Sequence, residues 1–102
     1  MSKGAEERLQ VKEQAGVLVV SGEVSFATAM SLWKQSLALL PASGPWKFDF
    51  SAVTTVDSAG LALLLQWMRL AKKQGKQLQF QKLPQQWRSI ALAAGLDKVI
   101  AA

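Results

Sequence analysis

Phe48-Asp49-Phe50-Ser51-Ala52-Val53-Thr54-Thr55-Val56-Asp57-Ser58-Ala59-Gly60-Leu61-Ala62-Leu63-Leu64-Leu65 passes from a strand pattern to a helix pattern through one short connection. Trp46, Phe48 and Phe50 alternate with Lys47 and Asp49, the period of a strand, and the run is short enough to be central in a sheet. From about Leu61 to Gln74 the pattern is that of a long apolar helix. Gly75 ends it, and Lys72 and Lys73 in its last turn suit the negative end of the helix dipole. Between strand and helix, Asp57 or Ser58 can accept hydrogen bonds from the unpaired N–H groups of the first helical turn. Gly60 lets the backbone pass close to a neighbour. A helix start also favours negative charge, so a phosphoryl group on Ser58 would meet a compatible field. By local chemistry alone, a plain helix cap is the simpler reading of Asp57 and Ser58.

The remaining elements extend outward from this segment. Upstream, Leu9, Val11 and Glu13 alternate with Gln10, Lys12 and Gln14. Ala15-Gly16 separates this run from Val17–Ser21, as in a β-hairpin. Gly22-Glu23-Val24-Ser25 is expected to break the second strand, with Ser25 capping the first helix. Phe26, Met30, Trp33, Leu37 and Leu40 fall at helical spacing, and Pro41 closes that helix. Downstream, Gln77–Gln81 alternates again as a strand. Leu83-Pro84 leads into a third helix marked by Trp87, Ile90, Ala91 and Ala94, which Gly95 ends. Leu96–Ile100 offers a short closing strand. The order ββαβαβα(β) predicts a single α/β domain over residues 1–102, with a mixed four- to five-stranded sheet and three to four helices packed against it. Residues 1–7 are expected to form a flexible polar start.

Composition narrows the function. The chain has 102 residues, half of them apolar, with no cysteine and no histidine. Disulfides, thiolate metal sites, cysteine nucleophiles and Ser-His-Asp chemistry are excluded by that alphabet. No GxxxxGK[ST] loop is present, and Asp49 and Asp57 have no convincing catalytic partner, so neither an enzyme nor a bound cofactor is expected. No apolar run approaches the length of a membrane span, and the start lacks a signal-peptide core, which points to a cytoplasmic protein without membrane insertion. The net charge of +5 is spread along the chain, with Lys72, Lys73 and Lys76 as its one small cluster. A solvated surface explains it better than a nucleic-acid footprint.

V-D-S-A-G-L after F-D-F-S-A-V resembles the signature of STAS domains, the family of anti-sigma-factor antagonists and sulfate-transporter tails. The opening hairpin, Ser21-Gly22-Glu23 and the element order extend the resemblance over nearly the whole chain. Gly60–Leu65 and Leu70–Gly75 are most similar to the branch that serves as the STAS subunit of bacterial phospholipid-trafficking ABC transporters. The resemblance implies a non-enzymatic subunit that binds the cytoplasmic ATPase and, through it, the permease, at the cytoplasmic face of the inner membrane. There it would support a transporter that maintains outer-membrane lipid asymmetry. The family's regulatory hydroxyl falls on Ser58, so Asp57, Ser58, Ala59 and Gly60 are the implied partner-binding segment. The alternative within the family is an anti-sigma-factor antagonist switched by phosphorylation of Ser58.

The long helix carries more apolar residues than one buried side requires. Leu61, Leu64, Leu65, Met68 and Ala71 are expected to face the sheet. Leu63, Trp67 and Leu70 form a second stripe, either covered by the third helix or exposed for a partner. Leu63 and Trp67 are therefore further candidate contacts. Trp33 and Trp46 suit core or edge positions. Trp87, beside Arg88, can belong to a docking face or lie over the end of the sheet.

Overall fold

Ala15 and Gly16 both take left-handed backbone angles, with φ of +53° and +84°. Two such residues in succession match the right-handed twist of a tight hairpin, and they join β1 (Val11–Gln14) to β2 (Val17–Val24). A computed structural model describes residues 9–101; the flexible start expected over residues 1–7 lies outside the described residues. After the hairpin come α1 (Ala29–Leu39), β3 (Trp46–Val56), α2 (Ser58–Lys73), β4 (Leu78–Gln81) and α3 (Gln85–Ala93). A 3₁₀ turn (Asp97–Val99) then leads into the two-residue β5 (Ile100–Ala101).

The sheet is five-stranded and mixed, in the order β1-β2-β3-β4-β5. Only β1 and β2 are antiparallel, and every later neighbour is parallel. Right-handed crossovers that always step in one direction place their helices on one face. That face buries Leu18, Val20, Trp46, Phe48, Phe50 and Phe80, with Leu32, Leu64, Trp67 and Trp87 from the helices packed against it. The other face carries polar residues at the alternate positions, including Lys47, Asp49, Gln79 and Gln81.

Two strands run further than their sequence suggests. Gly22-Glu23-Val24 does not break β2, because Gln10 repairs its bulged ladder. The Gln10 amide donates to the Ser21 and Glu23 carbonyls at 2.8 Å each, and the register shifts beside them. Gln10 is thus buried while Leu9 is exposed, the reverse of the expected alternation. β3 likewise continues through Thr54 and Thr55 to Val56, where the bulged half of β2 pairs with it. Ser25 serves the turn before α1 rather than the helix itself: its carbonyl accepts from the Thr28 and Ala29 N–H groups, and α1 starts at Ala29.

Helix faces also depart from expectation. On α2 the buried residues are Gly60, Leu63, Leu64, Trp67 and Ala71, whereas Leu65 is exposed and Leu61 and Met68 are half-buried. Trp67 decides this orientation. Its ring lies 4.3 Å from Phe48, with Phe50 and Phe80 also in contact. Its indole N–H donates to Ser36 Oγ of α1 at 2.8 Å, and that hydroxyl donates onward to the Trp33 carbonyl at 2.7 Å. A buried indole needs such a partner, so a polar residue occupies the core face of α1. The stripe of Leu63 and Trp67 is therefore covered by the sheet and α1 rather than by the third helix. On α1, Met30 and Leu37 face outward while Leu32 and Ser36 are buried, and Phe26, in the turn before it, is exposed as well. On α3, Trp87 and Ala91 are buried, but Ile90 and Ala94 are exposed.

Replacing Ser36 by alanine strands the Trp67 N–H in the core. Ser36→Ala is expected to lower the unfolding free energy by about 1–3 kcal/mol, read as an earlier urea midpoint at unchanged slope. An unmoved midpoint would remove Ser36 from this role.

Candidate functional site

Asp57 is the N-cap of α2, with extended backbone angles and a side chain turned over the first helical turn. Its Oδ1 accepts from the Ala59 N–H at 2.9 Å and the Gly60 N–H at 3.2 Å. The second oxygen, Oδ2, accepts from the Phe26 N–H at 3.2 Å, across to the turn between β2 and α1. The backbone of Asp57 is held as well: its N–H donates to the Val24 carbonyl, and its own carbonyl accepts from Trp87 Nε1 at 3.2 Å. The end of β2, the turn before α1, the start of α2 and α3 meet at this one residue.

Ser58, the first residue of α2, is exposed, and Ala59 is half-buried. Gly60 is buried because Trp87 and Val24 press on it. A Cβ there would stand 2.4 Å from Trp87 Cζ2 and 2.9 Å from the Val24 carbonyl oxygen. The close pass expected at Gly60 is thus met by α3 and β2. Trp87 lies over the end of the sheet, edge-on to Phe50 at 5.8 Å, and is fully buried, so it is no part of a docking face. Trp46 is buried too, with its indole N–H on the Pro41 carbonyl, while Trp33 is half-buried against the core.

The first two turns of α2 form a ridge between two shallow clefts. Towards α1, a cleft of about 360 Å³ is lined by Ala29, Met30, Trp33, Ala59, Ala62, Leu63 and Gln66. Towards α3, one of about 390 Å³ is lined by Val56, Asp57, Ser58, Leu61, Gln86, Trp87 and Ile90. Leu63 floors the first cleft at 5% exposure. Trp67 has no exposed surface, and the contact role expected for it is corrected by its place in the core. Two residues that were not among the expected contacts lie near the start of α2 instead: Asp57 holds the Phe26 N–H, and Met30 lines the α1-side cleft. Phe26 is 84% exposed and Met30 is 65% exposed. The signal for Met30 lay in α1 itself, which, like α2, carries more apolar positions than one buried stripe requires, and Phe26 continues that spacing into the turn before the helix.

A family model described as "Mlab, STAS domain" matches residues 7–101. The chain belongs to this STAS family. It is 36% identical over 75 residues to the Intermembrane phospholipid transport system binding protein MlaB of Escherichia coli K12, covering 74% of this chain and 75% of that protein. The MlaB of Shigella flexneri matches equally. Among solved structures, the murine Slc26a9 anion transporter in its inward-facing state aligns with a TM-score of 0.64 at 18% identity, over 87% of this chain and 16% of that one. The anti-sigma factor antagonist SpoIIAA in its unphosphorylated form aligns with a TM-score of 0.60 at 15% identity, over 79% and 78%. These structural likenesses concern the STAS fold alone. Among the described residues of this STAS chain, no helix is long and apolar enough to cross a membrane.

The geometry separates two roles of Asp57. Asparagine caps helices about as well as aspartate, but it keeps a single acceptor oxygen. Asp57→Asn is expected to preserve the thermal midpoint while the Phe26 amide exchanges faster by hydrogen-exchange NMR. Asp57→Ala is expected to cost about 1 kcal/mol more through the lost cap. Unaltered exchange at Phe26 in Asp57→Asn would break the link to α1. Gly60→Ala forces Trp87 and Val24 apart and is expected to destabilise by about 1–3 kcal/mol in chemical denaturation; a neutral result would contradict the close packing.

Proposed function

We propose that this STAS protein is a non-enzymatic accessory subunit of an ABC phospholipid transporter and binds the cytoplasmic ATPase through the α2 ridge. The observation that carries this reading is the exposure of two large apolar side chains near the start of α2: Phe26, whose N–H is held by Asp57, and Met30, which lines the α1-side cleft. Large apolar side chains left mostly in water near a helix start that carries an apolar cleft are the mark of a surface that a partner covers. The likeness to MlaB supplies the class of partner. Asp57, Ser58, Ala59 and Gly60 supply the fixed centre of the surface, and Leu63 floors the adjoining cleft. Through the ATPase the protein would reach the permease and lie peripherally at the cytoplasmic face of the inner membrane, in a system that maintains outer-membrane lipid asymmetry.

Such a subunit acts by linkage. Its binding favours whichever ATPase state it holds more tightly, and that state in turn raises its affinity by the same factor. Assembly and activity of the transporter rise together if the favoured state is the competent ATPase dimer.

The exposure of Ser58 favours a second reading, in which a kinase modifies it and the protein is an anti-sigma-factor antagonist. A phosphoryl group there would benefit from the α2 N-terminus and be opposed by the neighbouring Asp57 carboxylate. Phosphate-affinity gels of protein from native cells distinguish the two readings.

Tagged protein purified from its own cells is expected to bring down an ABC ATPase and its permease in stoichiometric amounts. Phe26→Glu, Met30→Glu and Ser58→Arg are each expected to weaken binding to the purified ATPase by about thirtyfold, or about 2 kcal/mol, with the fold intact by circular dichroism. Undiminished binding by folded Phe26→Glu and Ser58→Arg would overturn the assignment of the surface. Recovery of a serine kinase and its sigma factor would overturn the assignment of the partner.

A further inference from the structure

At the opposite end of α2 from Ser58, about 22 Å away along the helix, the surface changes character. Lys72 and Lys73 are exposed in the last turn, and Lys76 follows in the connection to β4, where its ammonium donates to the Ala42 carbonyl. Gln77, the next residue, lines a polar cleft of about 580 Å³ on the sheet side, and Lys47 and Lys98 line the same cleft. No acid is among its described lining residues.

The described carboxylates do not compensate these lysines. Glu13 turns to the Gly16 N–H, Glu23 to the Ser25 hydroxyl, Asp49 to the Ser51 N–H, and Asp57 to the α2 cap. Among the described residues no lysine has a carboxylate partner. Asp49, one step along the open face from Lys47, is the nearest of these acids along β3. Helix and sheet thus deliver five lysines to one pole of the molecule.

We propose that this lysine pole rests on an anionic phospholipid surface. The proposal relies on the protein docking on a membrane transporter, as inferred from the α2 ridge. That docking uses the N-terminal end of α2 and leaves the lysine end free. Several features favour a bilayer over other polyanions. The five charges of the pole are lysines, compact ammonium groups suited to diffuse attraction rather than to the bidentate recognition that arginine provides, and the exposed Arg69 lies one turn further back on α2. The most exposed large apolar residues, Phe26, Leu9 and Met30, lie towards the other end of the molecule, so attraction to the surface rests on charge rather than on insertion. No exposed aromatic residue is interleaved with the lysines, whereas proteins that hold single-stranded nucleic acid stack bases on such rings.

Co-sedimentation with vesicles tests this on the full chain alone. Vesicles of phosphatidylcholine with one part in three phosphatidylglycerol are compared with phosphatidylcholine alone, at low and physiological salt. Binding is expected only with phosphatidylglycerol, and salt should weaken it. The triple variant Lys72→Gln, Lys73→Gln, Lys98→Gln is expected to lose at least about tenfold in apparent affinity. A charge-matched control, Lys12→Gln, Lys34→Gln, Lys82→Gln, should bind like the parent chain. Equal loss in both variants, equal binding to both vesicle types, or preference for an oligonucleotide over the anionic vesicles would each overturn the proposal. ATPase capture by the pole variant, measured without lipid, separates the outcomes: a pole that fails leaves capture intact, and a wrong partner assignment leaves vesicle binding intact.

Discussion

The Asp57 carboxylate is the constraint on which the functional end of the molecule depends. One oxygen supplies acceptors for the first turn of α2, whose N–H groups have no partner within the helix. The other oxygen takes the Phe26 N–H, and the main chain of the same residue joins β2 and α3. A helix cap is ordinarily worth about 1 kcal/mol to a single element. Here it orients several at once, because they come together at the segment following β3. Gly60 completes the arrangement by leaving no side chain between α2 and the Trp87 ring.

Much of this was legible beforehand, and the misassigned helix faces share a cause. Periodicity identifies an element and says little about which side of it meets the core when apolar residues lie all round. Phe26, Met30 and Leu37 have the spacing of a buried stripe, yet Leu32 and Ser36 take the core side of α1. The reason is a tertiary one: Trp67 needs a hydrogen-bond partner where no water reaches, and Ser36 provides it. A serine at a core position cannot be recognised as such before its partner is known. The same tryptophan turns α2 by about one residue from its expected orientation, moving Leu65 into solvent. The long β3 was hidden for a different reason. Ser51–Val56 lacks alternation, and it is a strand because bulged β2 offers it a parallel edge. The D-S-A-G segment, by contrast, depends on local cap chemistry and on one close approach, both of which its residue types express directly.

Topology explains why the candidate site lies on helix surfaces. Doubly wound sheets bind ligands where the strand order reverses and adjacent loops diverge. This sheet adds each later strand on the same side of the last, so the order never reverses and no such crevice opens. What remains at the C-terminal ends of the strands is the ridge of α2 with a cleft on either flank. A convex ridge bordered by shallow apolar hollows suits the face of another protein better than a small molecule, which needs to be enclosed over most of its surface.

Preorganisation gives the Asp57–Phe26 bond its significance. A phenyl ring held in water gains nothing for the isolated chain, and ordering each residue of the turn beneath it costs about 1–2 kcal/mol of backbone entropy. The carboxylate, with the Ser25 and Thr28 bonds of the same turn, meets that cost during folding, before any partner arrives. Binding then has less freedom left to remove, so more of the contact energy is retained as affinity. Because the same carboxylate caps α2, the two effects are coupled. A partner that immobilises Phe26 also strengthens the start of the helix, and a firmer helix start holds Phe26 more firmly in return. Under the proposed docking, the two sides of the ridge would therefore respond to a partner as one surface, although they come from different segments of the chain.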